Sequence, residues 1–290
     1  MTDAYTWGGA SDLVAMLDVR LGEDGRYRGP VRGDWRRPVV EGSHMLGQAI
    51  VAAGRHAPAR RVVSASMVFV RAAQAAAPVE IELDQVSGGR TFVALAARAL
   101  QGDRVCAAGT LLLDTTAADV IRHEVQAPDV PGPADAAPFD MAVTGREIRV
   151  VDDAYTGNPE APVGPPVLDA WVRFGDLPDD PCIHAGLLAQ FTGHMSIAAA
   201  LRPHAGVGQD QAHDTLSMAV NAINLAIHRD VRADRWLLYH HESTFAGDGM
   251  THAECRVHED DGTLVASFTA DCMVRSFAET TAPRDTRRAL

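Results

Sequence analysis

The spacing of apolar residues along the chain predicts the same set of elements twice, a slim helix followed by four strands. Small and apolar residues recur at helical spacing over residues 39–54 and again over residues 182–201. Asp180 and Pro181 form a start signal for the second helix, because a carboxylate caps free N–H groups and proline suits the first helical position. We interpret this repetition as an internal duplication.

Alternating apolar and polar residues predict the strands that follow each helix. The candidates are residues 62–71, 79–86, 91–100 and 105–114 in the first half, and residues 217–228, 236–245, 251–258 and 263–277 in the second. Ahead of the first helix, residues 11–21 predict a short helix capped at Ser11 or Asp12, running into a strand, and residues 27–35 predict another strand.

Two proline-rich stretches, residues 127–138 and 159–166, separate the halves. Because proline at this density disfavours both helices and central strands, we predict an interdomain connection with one short strand at residues 148–151. The predicted organisation is therefore an N-terminal domain over residues 1–126, a linker over residues 127–166 and a C-terminal domain over residues 167–290.

Composition narrows the chemistry that the chain can perform. Its 290 residues carry a formal net charge of −12, which repels a nucleic-acid backbone, so we expect no nucleic-acid partner. The sequence contains no lysine, which excludes a Schiff-base lysine, a phosphate-loop lysine and a Ser-Lys dyad. Cys/His clusters with ligand spacing are also missing, so we expect neither a metal nor a cofactor.

The cellular setting is predicted from cysteine usage and from the apolar runs. Four cysteines without a C-x-x-C pair suit free thiols in a reducing compartment. The N-terminus lacks the basic and apolar regions of a signal peptide, and no apolar run approaches the roughly 20 residues that span a bilayer. We therefore predict a cytoplasmic protein without a membrane partner.

Several short motifs, taken in order, resemble those of the acyl-CoA thioesterase II family (TesB-like), over roughly residues 30–115 and 168–277. They are Gly42-x-x-x-x-Gly47-Gln48-Ala49, Ser87-Gly-Gly-Arg90, Leu201-Arg-Pro-His204, His228-Arg229, Trp236-Leu-Leu-Tyr-His-His-Glu-Ser243 and Leu264-Val-Ala-Ser267. The resemblance implies two tandem hotdog domains, an α+β fold in which each long central helix is wrapped by an antiparallel sheet. It further implies an acyl-CoA or other acyl-thioester substrate, and we expect a homodimer or a higher homo-oligomer.

The same resemblance identifies where the catalytic groups of such enzymes would fall. An aspartate, a threonine or serine, and a glutamine that orient the attacking water correspond here to Gly193, Val220 and Ala270. None of these three side chains can hold or polarise a water. A shift of one residue along the chain would instead bring His194, Asn221 and Asp271 to the site, although such a shift turns a strand's side chains to the opposite face.

These residues supply the candidate site. His194 and Asp271 are predicted as a catalytic pair, and Asn221 as a catalytic neighbour; Asn224 is a candidate for ligand binding. His44, with Glu41 to orient it, is a candidate general base because an unperturbed imidazole titrates near neutral pH. Gly42 and Ser43, at the first helix N-terminus, are predicted to donate backbone N–H groups to the oxyanion.

Three functional alternatives remain open at this stage. The protein is an acyl-CoA thioesterase with a non-standard set of polar residues, or a hotdog hydratase or dehydratase in which His44 moves a proton. Alternatively, it is a catalytically silent acyl-binding or scaffolding protein that kept the fold and lost the chemistry. The loss of three polar groups favours the silent protein unless neighbouring residues compensate.

Overall fold

A computed structural model describes residues 9–30, 39–141, 145–155 and 157–277. The helices are α1 (Ala10–Leu17), α2 (Gly42–His56), α3 (Pro181–Phe191) and α4 (Ser196–Leu201). The strands are β1 (Arg20–Leu21), β2 (Tyr27–Gly29), β3 (Val39–Val40), β4 (Arg61–Phe69), β5 (Ala73–Gln74), β6 (Val79–Gly88), β7 (Phe92–Gln101), β8 (Arg104–Asp114), β9 (Ala137–Phe139), β10 (Arg146–Val150), β11 (Val167–Phe174), β12 (Leu216–Ile227), β13 (Leu237–Gly247), β14 (Met250–Glu259) and β15 (Leu264–Ser276).

One antiparallel sheet of 13 strands combines both halves of the chain. Its order is β1-β2-β6-β7-β8-β4-β12-β15-β14-β13-β11-β10-β9, so β4 of the first half pairs with β12 of the second. Going outward from this junction, each half presents its strands in an equivalent order. The sheet therefore confirms the double hotdog fold, and its symmetry supports the predicted duplication.

The two central helices, α2 and α3, are in contact where they cross, at Gly47 and Gly186. A Cβ atom added to Gly47 would lie 2.7 Å from the carbonyl oxygen of Gly186, so neither helix accepts a side chain at the crossing. At the two ends, Gly193 faces Ser43 and Gly54 faces Cys182, at equivalent steps of the two halves. The small residues that the sequence places in these helices thus serve contact between the helices.

Several predicted elements differ from the observed ones. The short helix α1 begins at Ala10, one residue before Ser11, the first of the two predicted caps, and no side chain caps it. The predicted helix over residues 182–201 is broken into α3 and α4, because Gly193 is a weak helix former and Met195 has a left-handed φ of 67°. Residues 31–35 of the predicted strand over residues 27–35 lie outside the described residues.

The connection between the halves contributes two strands where the sequence predicted one. β9 pairs with β10, and β10 pairs with β11, so this segment extends the sheet of the second half. The sequence analysis did not predict β11, in which Asp169 and Arg173 interrupt the apolar residues although residues 168–172 are all buried. Across the described residues, no helix is both long and apolar enough to cross a membrane.

Candidate functional site

A cavity of about 250 Å³ lies where the start of α2, the turn after α3 and the strand β12 meet. We call it the helix-end cavity. Its walls include Glu41, Gly42 and Ser43 from the start of α2, and Val220 and Asn221 from β12. The structure thus brings together three of the predicted site residues, Gly42, Ser43 and Asn221.

The start of α2 presents free hydrogen-bond donors to this cavity. The amides of His44 and Met45 bond the carbonyl of Glu41, whereas those of Gly42 and Ser43 have no backbone acceptor among the described residues. Helix geometry leaves the first N–H groups without an intrahelical partner, and the helix dipole favours negative charge there. This arrangement suits a developing oxyanion.

Glu41 lies beside the cavity and is held from the second half of the chain. The amide of Gln190 donates to its Oε2 at 3.2 Å, and the Nε2 of His194 lies 3.6 Å from the same oxygen. The side chain of Glu41 does not cap its own helix. The carboxylate is therefore positioned by contacts between the halves and remains 31% exposed.

His194 is neutral in this environment. Burial, followed by the nearby charges of Arg146 and His241, lowers its pKa to about 3. An amide nitrogen only donates, so the Nε2 of His194 accepts from Gln190 at 3.3 Å and the ring hydrogen lies on Nδ1. His194 is not part of the cavity wall, and it contacts the site through Gln190 and Glu41.

A buried guanidinium completes this group of polar residues. Arg146 lies 5.8 Å from the ring centre of Phe191, and burial lowers its pKa to about 10. Glu41 is among the negative charges that favour the protonated form of Arg146. This attraction also favours the ionised form of Glu41, because the guanidinium of Arg146 stays positively charged near its carboxylate.

A bulge in β12 explains why Val220 and Asn221 both line the cavity. The pairing of β12 with β15 shifts between Val220 and Ala222, which leaves Asn221 without a partner residue in the ladder. The amide oxygen of Asn221 is buried and has no hydrogen-bond partner among the described residues. Asn221 is consequently available to a water or ligand in the cavity.

The predicted pairing of His194 with Asp271 is not formed. Asp271 accepts a hydrogen bond of 2.7 Å from Nδ1 of His252, and its side chain is 42% exposed. Its neighbours Ala270 and Cys272 are fully buried, so strand alternation turns Asp271 to the outer face of the sheet. The partner that the sequence analysis sought for Asp271 is therefore His252.

Asn224 and His44 also lie away from the helix-end cavity. Asn224 faces outward, where it accepts from Ser66 at 2.8 Å and donates to Thr269 at 3.1 Å. His44 points into the core, is 1% exposed, and has no partner for either ring nitrogen among the described residues. Burial lowers the pKa of His44 to about 4, so the ring does not titrate near neutral pH as the sequence analysis expected.

Sequence analysis did not propose Glu41 as a catalytic group, nor Gln190 and Arg146 as its neighbours. Glu41 appeared only as a residue that orients His44. One signal was available in the sequence. Glu41 directly precedes α2, at a position where Ser, Thr, Asp or Asn is usual, and its side chain does not cap the helix. No comparable signal marks Gln190, because its role depends on a contact with a residue 149 positions away.

The architecture is that of the hotdog-fold thioesterase II structures. The family model for the acyl-CoA thioesterase C-terminal domain matches residues 124–274, and the model for the N-terminal domain matches residues 31–113. The chain belongs to the acyl-CoA thioesterase II family (TesB-like). Membership and fold support binding or hydrolysis of acyl thioesters.

Individual relatives are similar over nearly the whole chain. Acyl-CoA thioesterase 2 of Haemophilus influenzae is 24% identical, covering 91% of this chain and 97% of its own. Mouse acyl-coenzyme A thioesterase 8 is also 24% identical, covering 91% and 88%. The solved acyl-CoA thioesterase II of Mycobacterium marinum is 26% identical, with a TM-score of 0.76 and coverage of 91% and 98%.

Proposed function

We propose that this protein hydrolyses acyl-CoA thioesters in the helix-end cavity, with Glu41 as the general base. The observation that carries the proposal is the position of the Glu41 carboxylate. It borders the cavity, it is held by Gln190 and lies beside neutral His194, and it directly precedes the free N–H groups of Gly42 and Ser43. A base and an oxyanion site thus share one wall.

The reaction follows from these positions. Glu41 takes a proton from a water as the water oxygen attacks the thioester carbonyl carbon, and the N–H groups of Gly42 and Ser43 stabilise the oxyanion. The tetrahedral intermediate then collapses, the C–S bond breaks, and the leaving sulfur takes the proton from Glu41. The products are a carboxylic acid and free CoA, and the Asn221 amide oxygen orients the water.

His194 and Gln190 act through Glu41 in this proposal. Because His194 is neutral and does not border the cavity, it exchanges no proton with substrate. Its Nε2 accepts from Gln190 and so orients the amide that holds the Glu41 carboxylate. The non-standard site therefore replaces the family's aspartate with a carboxylate from the opposite half of the chain. Ser43 occupies the space beside Gly193, where a Cβ would lie 2.7 Å from the Ser43 Cβ.

The test is a panel of acyl-CoA substrates from acetyl to palmitoyl, with release of free CoA as the readout. We expect turnover by the unchanged protein and a loss of about 100- to 10,000-fold in kcat/KM for Glu41→Gln, the range of a lost general base. Asp180→Asn is the matched control, because Asp180 occupies the equivalent position before α3, and its kcat/KM should not change.

The acyl-binding alternative is supported by Gly193, Val220 and Ala270, which have no polar side chain at the positions of the family's catalytic groups. Binding of acyl-CoA without turnover across the panel would favour that alternative and contradict hydrolysis. Full activity in Glu41→Gln would instead show that another group activates the water. The hydratase alternative depends on His44, which is buried and does not line the helix-end cavity.

A further inference from the structure

The helix-end cavity has a mouth and an inner end. Arg71 and His213 are exposed and mark the mouth, whereas Val40, Met45 and Met218 are buried and form the inner end. If the thioester lies beside Glu41, the acyl chain must extend toward the inner end. The CoA portion then leaves past Arg71, a cation suited to phosphate groups.

The volume of the cavity limits the length of the chain. A space of about 250 Å³ holds roughly eight groups of the size of water, at about 30 Å³ each. A palmitoyl chain has about twice as many carbons, so it exceeds this space. We infer that the protein selects short to medium acyl chains of about four to eight carbons; this inference rests on the proposed function.

Two methionines set this limit. The side chains of Met45 and Met218 are 1% and 5% exposed, so they are packed against the core and form a wall. Each carries three heavy atoms beyond Cβ, and removing them would lengthen the available space by about two to three carbons. Methionine is flexible, but an enclosed methionine yields space only at the expense of its packing.

The experiment measures binding as well as turnover, using the full chain and its Glu41→Gln variant. Dissociation constants of a series of saturated acyl-CoAs are determined by calorimetry, alongside kcat/KM for the unchanged protein. We expect the dissociation constant to fall with chain length up to about eight carbons and then to stop falling. We call the chain length at which the dissociation constant stops falling the break. In Met218→Ala and Met45→Ala the break should move to longer chains by about two carbons.

Met16→Ala is the matched control, because it truncates a methionine that is 1% exposed on α1 and does not line the cavity. Its break should remain at the original length. Ratios between long and short substrates are compared within each variant, so partial unfolding does not alter the result. Met45→Val offers a milder truncation if Met45→Ala fails to fold.

The outcomes separate the two proposals. A dissociation constant that keeps falling through sixteen carbons, or a break that does not move in either methionine variant, overturns the length inference. A break at about eight carbons without turnover at any length supports the length inference and contradicts only the proposed hydrolysis. A break that moves equally in Met16→Ala would show that general loosening of the core is responsible.

Discussion

The two ends of the central helix pair are built from equivalent positions but use them differently. At the cavity end, Glu41 precedes α2, Ser43 contacts Gly193, and the carboxylate of Glu41 lies 3.6 Å from His194. At the opposite end, which we call the Arg55 end, Asp180 precedes α3, Cys182 contacts Gly54, and the carboxylate of Asp180 lies 3.5 Å from Arg55. The duplicated scaffold thus places a carboxylate beside a basic side chain twice.

The difference between the ends lies in what each carboxylate does. Asp180 accepts a hydrogen bond of 2.9 Å from the amide of Cys182, so it caps its helix, and Arg55 is further paired with Asp18. The side chain of Glu41 does not cap its helix, and it lies in the wall of the helix-end cavity beside the neutral His194. One end uses its carboxylate to cap a helix, and the other places its carboxylate in the wall of the helix-end cavity.

Among the changes that test the difference between the two ends, the largest expected effect comes from adding a methyl group at Gly193. A Cβ there meets Ser43 at 2.7 Å, so Gly193→Ala should displace the start of α2, which carries both the base and the oxyanion donors. We expect kcat/KM to fall by about 10- to 100-fold, since small misplacements of catalytic groups have effects of this size.

Gly54→Ala is the mirror-image control for that change. Its Cβ would lie 2.5 Å from the Cys182 sulfur, so it overpacks the Arg55 end to a similar degree. Both variants should lower the free energy of unfolding by about 1–3 kcal/mol, measured by urea denaturation. Equal losses of kcat/KM in the two variants would contradict the assignment of function to the cavity end.

A smaller effect, on stability at low pH, is expected from His44→Ile. His44 is the third residue of α2, and Ile183 is the third residue of α3. His44 is neutral when folded, with a pKa lowered from 6.5 to about 4, so the unfolded chain binds a proton that the folded chain does not. Stability from this residue is complete above pH 6.5 and is lost as the pH falls toward 4.

His44→Ile should remove this dependence. The change in unfolding free energy with pH between 6.5 and 4 should flatten by at most about 1.4 kcal/mol per pH unit, the contribution of one proton. Urea denaturation at a series of pH values measures it. Unchanged slopes would mean that His44 takes up a proton without unfolding.

The smallest effect is expected from Arg55→His, which makes the Arg55 end resemble the cavity end. Arg55, Asp18 and Asp180 are about one-third exposed, so solvent screens their attraction. We expect unfolding free energy to fall by no more than about 1 kcal/mol, with a smaller difference at high salt. Thermal unfolding at two salt concentrations measures this, and a change in kcat/KM would show coupling between the two ends.

The sequence by itself determined the repeated order of helices and strands. Periodicity and turn signals are local, so the four strands after each central helix carry their own evidence, and the family motifs place these elements in a double hotdog. The same signals placed Gly42 and Ser43 at a helix start, where free N–H groups follow from backbone geometry alone. The proposed oxyanion site therefore needed no tertiary information.

Only the tertiary structure decided which side chains meet. The contact between Glu41 and Gln190 joins residues 149 positions apart, and no local pattern encodes it. A bulge brought Asn221 to the cavity, whereas regular alternation turned Asp271 outward to His252. Periodicity shows which residues of an element share a face. Packing between distant segments decides what that face contacts and which partner each side chain meets.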